Sequence, residues 1–165
     1  VLTQLSLYTP QVQLGAFLVL AAFAFRGGAG PERASAGAFL LMYLLDYPYH
    51  WLVDEAHWHQ IDVGHALIDA LAACATVFIA YWANRIYTLC LAALQLVSLV
   101  SHFARGLESG IAPLAYAVMI IWPSYLMIAT LAIGLLKHRR RLRVYGSYRS
   151  WRRSSPRWLV IGPLA

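Results

Sequence analysis

The chain has 165 residues, of which 61% are hydrophobic and only 12% charged, and its mean hydropathy is +0.60. An average soluble domain is about 45–50% apolar and about 25% charged, so this composition excludes an ordinary water-soluble enzyme and predicts an all-α, polytopic integral membrane bundle. The net charge of +6 does not predict nucleic-acid binding, because nine of the thirteen Lys and Arg residues are confined to the stretch from Lys137 to Arg157.

A bilayer core about 30 Å thick needs roughly 20 apolar residues of helix. Five segments meet this requirement in chain order. The first runs from about Leu5 to Phe25. It has no basic residue ahead of it, so it reads as a retained span rather than a secretory signal. Thr9-Pro10 reads as an N-cap followed by proline at the first helical position, which predicts a regular helix starting there. Gly30-Pro31-Glu32-Arg33 reads as loop punctuation. The second span, about Ala34 to Val53, carries Asp46, His50 and Pro48, with a kink expected near Leu44. A short acidic linker holding Asp54, His57 and His59 leads to the third span, about Ile61 to Ala83, which opens with Asp62, His65 and Asp69. The fourth, about Ile86 to Ala104, has Gln95, Ser98 and His102 in its second half. The fifth, about Ile111 to Leu136, contains Pro123, and Lys137-His138-Arg139-Arg140-Arg141 stops it. Residues 1–136 thus form the bundle and residues 137–165 a basic, aromatic tail.

Lys and Arg accumulate on the cytoplasmic side of membrane proteins. Placing the tail inside also puts Arg26, Arg33 and Arg85 inside and leaves only Arg105 outside. The predicted topology is therefore five spans of the inner membrane, N-terminus outside and C-terminus inside. In the tail, Arg139, Arg140, Arg141, Arg143 and Trp151 fit contact with anionic lipid, the arginines on headgroups and the ring at the interface.

The stretch from Asp46 to Asp69 holds five of the seven acidic residues and four of the six histidines. A carboxylate near the centre of a membrane helix costs about 2.5–3.5 kcal/mol on insertion scales, which makes it a functional hypothesis once partners are named. Residues three, four and seven apart share a helix face. Asp46, His50 and Asp54 keep that spacing on the second span, as do Asp62, His65 and Asp69 on the third and Gln95, Ser98 and His102 on the fourth. With a rise of about 1.5 Å per residue, His50, His65 and His102 fall roughly 3–6 Å below the outer boundary, and Asp46, Asp69, Ser98 and Gln95 about 9–13 Å below it. The expectation is a funnel with histidines above and carboxylates below.

Asp46, His50, His65, Asp69 and His102 are the candidate metal ligands, since imidazole and carboxylate together suit zinc, copper or iron. Asp54, Asp62, His57 and His59 are candidates for supporting or capturing groups. Two other uses fit the same residues: proton relay between carboxylates and histidines, and interhelical hydrogen bonding with no ligand at all. Haem is a weaker candidate than a bare ion, because the neighbouring carboxylates are unusual company for an axial histidine pair. The set Asp46, His50 and His65 resembles the copper-binding pattern in the C-subunits of particulate methane and ammonia monooxygenases. The resemblance covers these three residues alone, departs in the last spacing, and implies copper by local analogy.

Cys74 and Cys90 lie inside apolar segments without CxxC spacing and read as packing residues. The sequence contains no nucleophile-and-base motif, phosphate loop or zinc-protease helix, so no reaction is assigned to it. Short outer loops predict membrane-protein partners or a homo-oligomer. An accessory subunit of a larger membrane complex, or a holin-like pore former, is the alternative to an outward-facing metal or proton site.

Overall fold

The computed structural model describes the backbone of residues 2–53, 62–108 and 110–152, and the side chains of these apart from 2–10, 50 and 53. Five helices account for nearly all of it: α1 (Leu2–Gly27), α2 (Gly30–Val53), α3 (Val63–Trp82), α4 (Ile86–Leu107) and α5 (Pro113–Tyr145). Each packs on its neighbour in sequence, and α5 returns to α1 and touches α2, so the helices close into a ring. Among the described residues, α3, α4 and α5 are long and apolar enough to cross a membrane; α1 has a shorter apolar run, Gln11–Gly27.

The core is narrow. Phe17, Phe39 and Tyr43 stack at its centre, with ring centroids 5.1 and 5.2 Å from Phe17, and Leu91, Met127, Leu131 and Leu135 complete it from α4 and α5. Alanines at 21, 24, 36 and 72 are buried in it and let the backbones approach. Tyr43 donates to Gln13 Oε1 at 2.5 Å and ties α2 to α1. Large apolar side chains face outward all round the ring, among them Leu41, Leu71, Phe78, Val100, Phe103 and Leu126. Soluble monomers rarely expose apolar surface so continuously, and such a surface is compatible with a membrane protein.

Three boundaries differ from those read in the sequence. Gly30 to Arg33 is the start of α2 rather than a loop. Pro31 falls in the first turn, where a missing N–H is harmless, and Glu32 complements the positive end of the helix dipole. The α1 backbone is helical from Leu2, ahead of Thr9-Pro10. Helix α5 continues through Lys137 to Tyr145, because Lys, Arg and Leu are good helix formers and cations suit a helix C-terminus; Gly146, at φ 67°, ends it.

After Gly146 the chain turns back onto the end of the bundle formed by the α3–α4 turn. Asn84 donates its backbone N–H to Ser150 O at 3.0 Å, Arg152 donates its own to Trp82 O at 2.8 Å, and Ala83 and Trp151 form an antiparallel bridge. The Trp151 indole lies so close over Gly30 that a Cβ there would overlap it. Gly30→Ala is therefore expected to destabilise the fold by about 1–3 kcal/mol, the usual cost of overpacking. The same change made with Trp151→Ala is expected to be nearly neutral. Thermal unfolding in detergent checks both, and an unchanged midpoint for Gly30→Ala alone contradicts this packing.

Candidate metal centre

The site is built from the opposite end of α2, α3 and α4, closed by the first turn of α5. Asp62 is the N-cap of α3: its Oδ1 accepts the His65 backbone N–H at 3.0 Å and the Tyr49 hydroxyl at 2.6 Å. This joins the C-terminal part of α2 to the start of α3. It also needs Gly64, where a Cβ would overlap the Tyr49 ring.

One turn further along, His65 Nδ1 lies 2.5 Å from Asp46 Oδ1 on α2. Asp69, on the next turn of α3, is buried and meets three α4 side chains. Ser98 donates to its Oδ2 at 2.7 Å, Gln95 Nε2 donates to its Oδ1 at 3.0 Å, and His102 Nε2 lies 3.2 Å from Oδ2. The spacing of Gln95, Ser98 and His102 puts them on one face of α4, so a single carboxylate can face all three. The second ring nitrogen of His102, Nδ1, lies 2.9 Å from the Tyr116 hydroxyl on α5. The His65 and His102 rings are 5.3 Å apart between centroids.

A carboxylate only accepts, so the hydrogen bond to Asp69 places the His102 proton on Nε2, and Nδ1 accepts from the Tyr116 O–H. With the other tautomer, Nδ1–H donates to the Tyr116 oxygen and Nε2 is a lone-pair donor. The hydroxyl serves both states, so His102 can exchange its Asp69 bond for a metal bond without losing its anchor. His65 has the matching arrangement: Nδ1–H held on a carboxylate is the usual means of orienting a ligating histidine through Nε2.

His65, Asp69 and His102 each bring one ligand atom within 4.8 Å of the others. Bonds of about 2.0–2.2 Å to a first-row ion put tetrahedral donors roughly 3.4 Å apart, so the triad would have to contract by up to about 1.4 Å to close on one. Gln95 Oε1 is buried without a partner among the described residues, which leaves an acceptor beside the triad for a hydrated ion. The donor set fits zinc or copper(II) better than magnesium or calcium, which take oxygen ligands.

Of the five predicted ligands, Asp69, His65 and His102 converge, and Asp46 stands behind His65. His50 belongs to α2, but its side chain, like Asp54, His57 and His59, lies outside the described residues. Among the described residues the funnel of histidines above carboxylates gives way to direct pairing, His65 meeting Asp46 and His102 meeting Asp69. Asp62 is a helix cap. Arg105, the one basic residue assigned to the outer side, is buried, donates to Ile111 O, and lies 5.7 Å from the Tyr116 ring centroid. Tyr49 and Tyr116 went unnoticed in the sequence because nothing in an aromatic-rich apolar chain distinguishes a hydrogen-bonding tyrosine from a packing one.

No family model, curated protein or solved structure matches the chain. The site therefore rests on its own geometry.

Replacing Asp69 by Ala leaves Ser98, Gln95 and His102 facing an apolar void. A buried polar group left without its partner costs about 1–3 kcal/mol, against which stands the burial cost of the carboxylate removed. Asp69→Asn keeps an acceptor and is expected to lose less. Thermal midpoints of the two variants check the order, and an Asp69→Ala protein as stable as the parent contradicts the role given to Asp69.

Proposed function

We propose that this chain is a five-span inner-membrane protein, N-terminus outside, whose outer half binds a transition-metal ion between His65, Asp69 and His102. The observation that carries the reading is the shared orientation of the two imidazoles. Each is anchored through Nδ1, to Asp46 Oδ1 in one case and the Tyr116 hydroxyl in the other, and a ligand atom of each lies within 4.8 Å of the buried Asp69 carboxylate. The sidedness follows from charge: Arg26, Arg33, Arg85 and the basic tail belong to one end of the bundle and the His/Asp cluster to the other. Crossing by α1 and α2 as well as by the three most apolar helices is part of the proposal.

Metal at this position would be held by two nitrogens and one oxygen, with any further ligand from water or an incoming molecule. Such an open site suits capture or transfer of an ion at the membrane surface, or polarisation of a bound water. A second reading, proton transfer, is favoured by the same chain of groups. Asp46, His65, His102 and Asp69 form a sequence of titratable partners spanning α2 to α4, broken only between the two rings.

Elemental analysis separates the two. Protein loaded with zinc or copper(II) and then desalted is expected to retain one ion per chain, and His65→Ala and His102→Ala to retain almost none. Asp46→Asn, which acts through His65, is expected to weaken binding about 10–100-fold. A parent protein that retains no stoichiometric ion, while Asp46→Asn alters proton flux in vesicles, replaces the metal reading with the relay.

A further inference from the structure

The other end of the bundle holds a second polar centre that neither metal binding nor proton transfer uses. Glu32, on the first turn of α2, is fully buried, and the Arg85 Nε–H lies 3.4 Å from its Oε1. Arg85 is the N-cap residue of α4 and is itself buried. Its Nη1 donates to Asn84 O at 2.9 Å and to Arg149 O at 3.4 Å, and its guanidinium lies 4.5 Å from the Tyr148 ring centroid. Its other nitrogen, Nη2, has no partner among the described residues. A buried guanidinium N–H left unmatched costs more than an ordinary missing hydrogen bond, so this donor calls for an acceptor.

Arg85 lines a cleft of about 310 Å³ together with Asn84, Tyr148, Arg141 and Arg152. Three arginines thus line one space, against one carboxylate that already engages Arg85 Nε. The α4 N-terminus opens on the same cleft through Ile86, and no side chain of the N-cap residue closes its first turn. Backbone N–H groups at a helix start and the positive end of the dipole favour an anion there. The remaining wall is apolar: Ile86 and Leu89, both exposed on the outer face of α4. Folding of residues 146–152 onto the α3–α4 turn creates this cleft, since Tyr148 and Arg152 reach it only by that return.

We infer that the cleft between the α4 N-terminus and the folded-back tail binds a phosphate group, with Arg85, Arg141 and Arg152 as its cationic ligands. Planar guanidinium groups match phosphate oxygens in pairs, and three of them in one cleft exceed what diffuse attraction to a membrane surface requires. The adjoining apolar wall matches an acyl chain, so an anionic phospholipid headgroup and a soluble phosphate share this chemistry. The lipid arm rests on the membrane placement proposed above; the phosphate arm does not.

The test compares two double variants of the full chain in detergent, Arg141→Gln with Arg152→Gln and Arg140→Gln with Arg143→Gln, by native mass spectrometry with added phosphatidylglycerol and by calorimetry with inorganic phosphate. Both remove two positive charges from the same tail. The first is expected to weaken binding about tenfold or more, the scale of a lost charge-assisted contact, and the second by less than about threefold. Arg141→Gln alone, a change at an exposed residue, keeps the test decisive if the loss of the Arg152 bond to Ala83 O unfolds the tail. Lipid retention that inorganic phosphate competes away assigns a headgroup, and phosphate binding without lipid retention assigns a soluble anion; each upholds the site. Equal weakening in the two double variants, no weakening in either, or a larger effect of Arg140 and Arg143 overturns it.

Discussion

Asp69 is a carboxylate about 9 Å along a helix that is otherwise alanine, leucine, isoleucine and valine for most of its length, and its neighbours have to answer that one charge. In a bilayer core, as proposed, its burial would cost about 2.5–3.5 kcal/mol on insertion scales. Interhelical hydrogen bonds in membranes contribute about 0.6 kcal/mol on average and at most about 1.7 kcal/mol. Gln95, Ser98 and His102 supply three, which roughly offset the charge and leave little net stabilisation. The polar cluster therefore fixes which face of α3 meets α4 more than it holds the bundle together. The Phe17, Phe39 and Tyr43 stack and the alanine contacts do the latter.

The same constraint spreads outward from Asp69. His102 meets it with one ring nitrogen and needs a partner for the other, which brings Tyr116 from the start of α5 and, with Arg105 near its ring, the α4–α5 connection. On the other side, His65 precedes Asp69 by one helical turn and reaches Asp46 on α2. Four helices are thereby registered at one end by a chain of side-chain contacts. At the far end the buried Glu32–Arg85 pair registers α2 against the α3–α4 turn and the tail. The bundle is apolar in its middle and pinned by polar contacts at both ends.

The sequence made the helix count and the five segments legible, because apolar length is a local property. Short connections make consecutive helices neighbours, so the stripe of Gln95, Ser98 and His102 on the fourth span was expected beside the third. What it hid was pairing. Depth along a helix put His65 and His102 in one layer and the carboxylates in another, but side chains on α-helices lean toward the N-terminus, and neighbouring helices run in opposite directions. A histidine therefore meets a carboxylate whose Cα sits at a different level. In sequence Glu32 reads as a loop residue and Arg85 as one inner-side charge among several, because each stands alone. Their contact joins positions 53 residues apart. The return of residues 146–152 was likewise invisible, since an Arg- and Tyr-rich segment after a span reads as a surface tail until its backbone is seen to pair with Ala83 and Asn84.

Both polar ends use one device: a helix-borne charge is held on one side by a partner from a neighbouring helix while the other side keeps bonding capacity. For the His/Asp cluster, the coordination sphere itself can be read directly. X-ray absorption at the metal edge of zinc-loaded protein in detergent is expected to show two imidazole nitrogens at about 2.0–2.1 Å, together with oxygen scatterers at about 2.0–2.2 Å. Loss of one imidazole shell in His102→Ala completes the expected result. A sphere of oxygen or sulfur alone, or an imidazole signal unchanged by that substitution, contradicts the convergence of His65 and His102 on Asp69 as a metal centre.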